Sequence, residues 1–205
     1  MQLRHDERGV TLVEVLVAVS ILAIIIIPLG DAMIGFIRNT DATTRRMIES
    51  HDMQIATAYF ALDIQNLGVR DWSSPTFALQ QSIDNPSYPC AGAGTSVISL
   101  AWDDFTSVSS PATVVRVNYV VRDVGGEHQL RRLLCRGPSP GASPPVESDV
   151  VLVHNLVSSP SRACMSPITC TSASVPQRVT LTVTVKHPAN TTDISLTLTG
   201  QRRQT

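Results

Sequence analysis

A chain of 205 residues with a formal net charge of −1 has no surplus charge with which to hold a polyanion, and it is no acidic tail protein either. Aromatic residues make up only 4% of it, while Ser, Thr, Val and Pro are plentiful, which argues against a helical bundle and for a β-rich module. The length suits one ordinary domain with an appendage.

The chain opens on a short polar leader, MQLRHDERG, and then turns apolar. From Val15 to Leu29 no residue is charged, and Val10 to Gly30 supplies the roughly twenty residues that a transmembrane helix needs. The core helix of a soluble protein would show a polar face, and AIIII at residues 23–27 is apolar on every side. A cleavable secretory signal would want a basic start and a small-residue cleavage site. Only GDA (Gly30–Ala32) approaches such a site, and Glu14 would then stand inside the apolar stretch.

The order of residues here is itself a signal: a basic residue, Gly9, the apolar Val10, Thr11, Leu12, and an acid at the fifth position counted from Val10. The string RGVTLVEVLVAVSILA resembles the prepilin-type cleavage and methylation motif of type IV pilins and type II secretion pseudopilins. The resemblance covers about the first thirty residues. It implies that a membrane aspartyl peptidase cuts after Gly9 and methylates the new amine of Val10, and that Glu14 is the family's assembly glutamate. Val10 stands where the family more often has Phe or Met, and Arg4 and Arg8 of the leader are offset by Asp6 and Glu7. Counting Arg38, Arg45 and Arg46 beyond the helix would turn the amino terminus away from the cytoplasm. The resemblance implies the opposite topology, because the cleavage site must meet a cytoplasmic-side peptidase.

A carboxylate in the bilayer core costs several kcal/mol unless it meets a partner. Along a helix, the distance from Val10 to Glu14 is about 6–7.5 Å. The new amine of one subunit is therefore able to pair with Glu14 of an axially displaced neighbour. Such a buried pair fixes register between packed helices. The plainer alternative is a glutamate that snorkels to the membrane interface near a helix end.

Helical periodicity continues past Gly30 through Ile34, Ile37, Thr44, Ile48, Ile55, Tyr59 and Leu62, and Asn66-Leu67-Gly68 supplies a stop. A helix from Val10 to Leu67 would be about 85 Å long, with only its second half amphipathic. Pro28, helped by Gly30, is expected to kink or locally open it. The expected organisation is a leader at 1–9, an assembly helix at 10–30, an amphipathic continuation at 31–67 and an extracytoplasmic head at 68–205. Residues 71–95, DWSSPTFALQQSIDNPSYPCAGAGT, read as a long irregular connection. Strands are expected at 96–102, 113–121, 128–136, 149–157, 178–186 and 193–199, with a Gly-Gly hairpin in DVGGE. Residues 137–149, GPSPGASPPVESD, are too rich in proline for a strand and read as an exposed loop. One antiparallel sheet laid on the amphipathic half of the helix is the expected α+β arrangement. That layout is similar to the pilin fold, and its hairpin order looks most like the minor J-type pseudopilins and W-type minor pilins.

All four cysteines, Cys90, Cys135, Cys164 and Cys170, follow the apolar segment. Two disulfides in an oxidising compartment, with three possible connectivities, fit that placement. Free buried thiols are the alternative, and the spacing in CMSPITC is too wide for a zinc half-site.

No catalytic or nucleotide-binding signature occurs, and His5, His51, His128, His154 and His187 are scattered without metal-ligand spacing. The expectation is therefore a non-enzyme without cofactor or metal. Asp103-Asp104 is read as a solvated turn rather than a calcium site, because adjacent strand residues face opposite ways. NTT at Asn190 is a formal glycosylation sequon in a polar turn. Arg131, Arg132, Arg136, Arg202 and Arg203 suggest a basic patch, but no aromatic-lined groove accompanies them.

The function expected is that of a minor pilin or pseudopilin, processed after Gly9 and packed helix to helix into a pilus or secretion pseudopilus. Prepilin peptidase, other pilins and an inner-membrane assembly platform are the implied partners. The alternative is a membrane-tethered binding module, an adhesin or DNA-uptake receptor, that does not polymerise.

Overall fold

The computed structural model describes residues 11–104, 113–138, 141, 143–165, 168–186 and 193–203. Gly9, Val10, His5, His187 and the turn at Asn190 lie outside these residues. The chain divides into two compact units, Met1–Arg46 and Met47–Thr205. The architecture is α+β, with one long amino-terminal helix and antiparallel sheets in the head, consistent with a pilin-like fold.

Helix α1 spans Leu12–Asn66 and is unbroken through Pro28 and Gly30. It ends where Gly68 takes a φ of 138° and donates its N–H to Ala101 O at 3.1 Å. Within the second unit its buried face is Asp52, Ala56, Phe60, Asp63 and Ile64, followed by Leu67. This corrects the expected stripe: Ile48 (47%) and Leu62 (54%) are exposed, and Ile55 and Tyr59 only flank the core. The true face contains two aspartates that the sheet neutralises, so a purely apolar period points to the wrong side of the helix.

Among the described residues, two larger sheets and a small two-stranded one replace the single sheet expected. The first is a meander of β3 (Thr95–Asp104), β4 (Thr113–Val124), β5 (Glu127–Pro138) and β6 (Val146–Val153). Gly125 and Gly126, both at positive φ (65° and 85°), close the β4–β5 hairpin, as a two-residue primed turn requires. The second sheet orders β7 (Ser161–Cys164), β8 (Arg178–Val185) and β9 (Ile194–Gln201). Strict alternation in β8 buries Val179, Leu181, Val183 and Val185 on one face. Gly200 of β9 lies against α1 so closely that a Cβ there would sit 2.4 Å from Ile64 Cβ. Leu156, bridged to Val185, links the end of β6 to the second sheet.

The long connection is irregular but tethered. The two-residue strand β1 (Val69–Arg70), just before it, pairs with β2 (Leu79–Gln80) within it, and Ile83 bridges Leu100. It covers the second face of β3 and β4 through a small cluster of Val69, Tyr88, Ala101 and Val114. The proline-rich loop is shorter than expected, because Gly137-Pro138 finish β5 and residues 146–149 already belong to β6. Pro138 is tolerated there because the β5–β6 pairing stops at Cys135–Val146.

Cys90 bonds Cys135, tying the connection to β5, and Cys164 bonds Cys170. The first closes a 45-residue separation and the second one of six. By loop entropy, Cys90→Ser/Cys135→Ser should cost about 4 kcal/mol and Cys164→Ser/Cys170→Ser about 2 kcal/mol. Chemical denaturation of both double variants checks this order; equal losses would contradict it.

Candidate functional site

The start of α1 is built by its own sequence. Thr11 Oγ1 and its carbonyl both accept the Glu14 N–H, at 3.4 and 3.0 Å, so Thr11 acts as the cap and Glu14 falls on the third helical position. By position, Thr11 and Glu14 match the Thr-x-x-Glu capping-box pattern. An acid in the first turn also suits the helix dipole. The Glu14 side chain is exposed and has no side-chain partner in the chain among the described residues. Beyond it, Leu16, Val17, Ile21, Leu22, Ile24 to Ile27 and Leu29 are exposed on all sides of the helix. The helix is long and apolar enough to cross a membrane. Ser20 Oγ donates to Leu16 O at 2.8 Å, so its hydroxyl donor is satisfied without water.

Residues 4–30 match the family model described as Prokaryotic N-terminal methylation motif. The chain carries the amino-terminal motif of the type IV pilins and pseudopilins. No curated protein and no solved structure matches it. The motif and the exposed apolar helix together point to a membrane-anchored chain, with one membrane-length helix among the described residues. The matched stretch holds Gly9, Val10, Glu14, Pro28 and Gly30, of which the structure describes the last three. A Cβ on Gly30 would meet nothing within 4 Å.

Within the second unit, two aspartates of α1, Asp63 and Asp52, receive polar contacts from the head. Arg132 on β5 grips Asp63 with two bonds, Nε to Oδ2 and Nη2 to Oδ1, both 2.7 Å. Tyr119 of β4 donates its hydroxyl to Asp63 Oδ2 at 2.6 Å, and the Arg132 guanidinium lies 4.9 Å from the Tyr59 ring centre. Burial disfavours the Arg132 charge, but the Asp63 carboxylate outweighs burial and holds the guanidinium above its usual range. Burial and then the Asp63 charge push the Tyr119 hydroxyl well above the ordinary tyrosine value. Asp52 accepts both the backbone N–H of His154, at 3.1 Å, and its Nδ1 contact at 2.7 Å.

Three of the arginines suggested as a basic patch are instead paired within the head. Arg132 is inside the core, Arg131 pairs with Asp149 at 2.8 Å, and Arg136 meets Asp104 and Glu147 at 3.6 and 3.5 Å. Three of the five arginines thus answer acids of the same domain. Among the described residues, no three His, Cys, Asp or Glu side chains converge as a metal cage.

Asp103-Asp104 are not in a solvated turn but end β3, where Asp103 is buried. Asp103 Oδ2 accepts the Arg70 N–H at 2.7 Å, and the Trp72 side chain bonds the same carboxylate. Burial nonetheless pushes the Asp103 carboxyl above its ordinary value. The folded state therefore holds this proton more tightly than the unfolded chain does. Its contribution is greatest at acid pH and falls as pH rises from the ordinary carboxylate value of 3.8 through the raised one. Asp103→Asn retains an oxygen for the Arg70 N–H and should gain stability relative to the wild type on going from pH 4 to pH 7. Urea titrations at both pH values check this; an equal difference at the two would contradict it.

The turn 71–78 has a second peculiarity. Phe77 adopts a φ of 47°, as do Asp84 and Asn155 at 48° and 55°. Asp and Asn enter this region readily, whereas for a bulky residue it costs on the order of 1–3 kcal/mol. Phe77 recovers little of that by burial, since it is 46% exposed, and Trp72 beside it is 48% exposed. The two ring centres are 5.6 Å apart.

Proposed function

We propose that this protein is a minor pilin or pseudopilin subunit, cut between Gly9 and Val10, methylated on the Val10 amine, and packed helix to helix into a filament. The observation that carries the reading is the coincidence of the methylation motif with an apolar helix exposed on every side. In lipid such a helix is solvated by acyl chains, and in a filament the same surface is solvated by neighbouring helices. In this reading the amine created at Val10 meets Glu14 of an adjacent subunit and sets the axial step. The amino terminus faces the cytoplasm before cleavage and the head lies outside. Pro28 removes one backbone donor from the helix interior, and with Gly30 it is the place where the helix bends or opens on packing. Prepilin peptidase, the other subunits of the filament and an inner-membrane assembly platform are the partners.

The experiment is co-expression with a prepilin peptidase of the wild type and of Gly9→Leu. The wild type should lose residues 1–9, and the Gly9 variant should stay in the membrane at full mass. Equal processing of the two, or none of either, would contradict the assignment.

A further inference from the structure

We propose that Arg70, Arg178, Arg202 and Arg203 form a surface on the head that holds the phosphate backbone of a single-stranded nucleic acid, a ligand function separate from filament assembly. Far apart in the sequence, these residues are gathered by the fold at the carboxyl end of α1. Arg178 starts β8 and stands opposite Gln201, the last residue of β9. Arg202 follows at once and donates its N–H to Gln177 O at 2.8 Å. Arg203 donates its N–H to Gln65 O, in the final turn of α1, at 3.2 Å. Arg70 lies on β1, five residues past Gln65, and its charge is felt at Arg202.

Other arginines of the head answer acids. Arg122 and Arg131 share Asp149, Arg132 grips Asp63, Arg136 meets Asp104 and Glu147, and Arg162 meets Asp84. Among the described residues no ion pair engages Arg70, Arg178, Arg202 or Arg203. The acids beside Arg70 are Asp71 and the buried Asp103, two carboxylates against four guanidinium groups. Arg202 is costly in the free protein, because its Nε and Nη1 are closed off from solvent without a hydrogen-bond partner among the described residues. Burial and then the Arg70 charge hold its guanidinium below the usual range. A bound oxyanion supplies the missing counter-charge.

The surroundings select among anions. Guanidinium groups fork onto phosphate oxygens. Beside them stand two aromatic rings: Arg70 Nη1 donates to Phe77 O at 3.1 Å, and Trp72 and Phe77 are 48% and 46% exposed. Single-strand binding combines a positive surface with rings on which separate bases stack, so the 54° tilt between these two is no obstacle. A carboxylate polymer would leave the rings idle, and a duplex hides its base faces in its own stack.

The test follows a labelled oligothymidylate by fluorescence anisotropy, with the full-length chain in a non-ionic detergent, between about 50 and 200 mM salt. The wild type should bind, its log affinity falling linearly with log salt. Arg178→Gln/Arg203→Gln alters two exposed residues and should reduce that slope by about 1.4, about 0.7 for each lost phosphate contact. Trp72→Ala should weaken binding about tenfold at an unchanged slope. Arg202→Gln should weaken binding without lowering the thermal midpoint, because that charge has no partner to lose. No binding by the wild type at the lowest salt, an unchanged slope in the double variant, undiminished binding by Trp72→Ala, or a lowered midpoint in Arg202→Gln would each overturn the proposal. Polyglutamate, duplex DNA or anionic vesicles that displace the oligonucleotide at equal charge concentration would overturn it in favour of those partners.

Discussion

Arg132→Met is expected to destabilise the head by about 3–5 kcal/mol, because it strands the Asp63 carboxylate in the core without its counter-charge. The geometry behind this figure is a two-pronged pair at 2.7 Å on residues that are both under a tenth exposed. Asp63→Leu should be similarly damaging, since it leaves a buried guanidinium and the Tyr119 hydroxyl without their acceptor. The triple variant Asp63→Leu/Tyr119→Phe/Arg132→Met removes all three polar groups together and should recover most of the loss. Replacing a whole buried ionic cluster by apolar groups is often neutral or stabilising. Urea unfolding of the single and triple variants is the check. If the triple is as unstable as Arg132→Met, the cost lies in packing rather than in the orphaned charge. Asp63 joins α1 to β4 and β5 at once, so this cluster fixes which face of the helix meets the first sheet.

Glu14→Ala should leave membrane insertion and cleavage intact and reduce recovery in sheared filaments at least about tenfold. A buried charge pair worth more than about 1.4 kcal/mol is enough for that. The capping geometry at Thr11 makes a second substitution informative. Gln serves the third position of a capping box as well as Glu does, but it has no charge for a neighbour's amine. If Glu14 acts only within its own helix, Glu14→Gln will behave as the wild type. If it pairs between subunits, Glu14→Gln will fail to enter filaments as Glu14→Ala does. Quantitative immunoblotting of membrane and filament fractions distinguishes the two outcomes.

The parts of this protein legible from sequence are those specified by neighbours along the chain. The motif at 4–30 is a local string, and its apolar helix follows from composition alone. The period of two in RVTLTVTV and the Gly-Gly turn at 125–126 place β8 and the β4–β5 hairpin for the same reason. What escaped is specified by partners far away. Asp52 and Asp63 look like solvent-facing residues until His154 and Arg132, 102 and 69 positions on, are seen to meet them. The error in the buried face of α1 follows from that. The separate three-stranded sheet is not legible because β7, four residues long, carries no periodic signal and pairs with β8. The positive φ of Phe77, inside the irregular connection, likewise leaves no mark in the residue order.

In the proposed assignment residues 1–9 are a leader and the mature chain starts at Val10. Intact mass and amino-terminal peptide spectra of the protein recovered from membranes holding an active prepilin peptidase test it most directly. The expected chain begins at Val10 with a methylated amine. A chain that still begins at Met1, or one cut beyond Gly30 as a secretory signal would be, would contradict it.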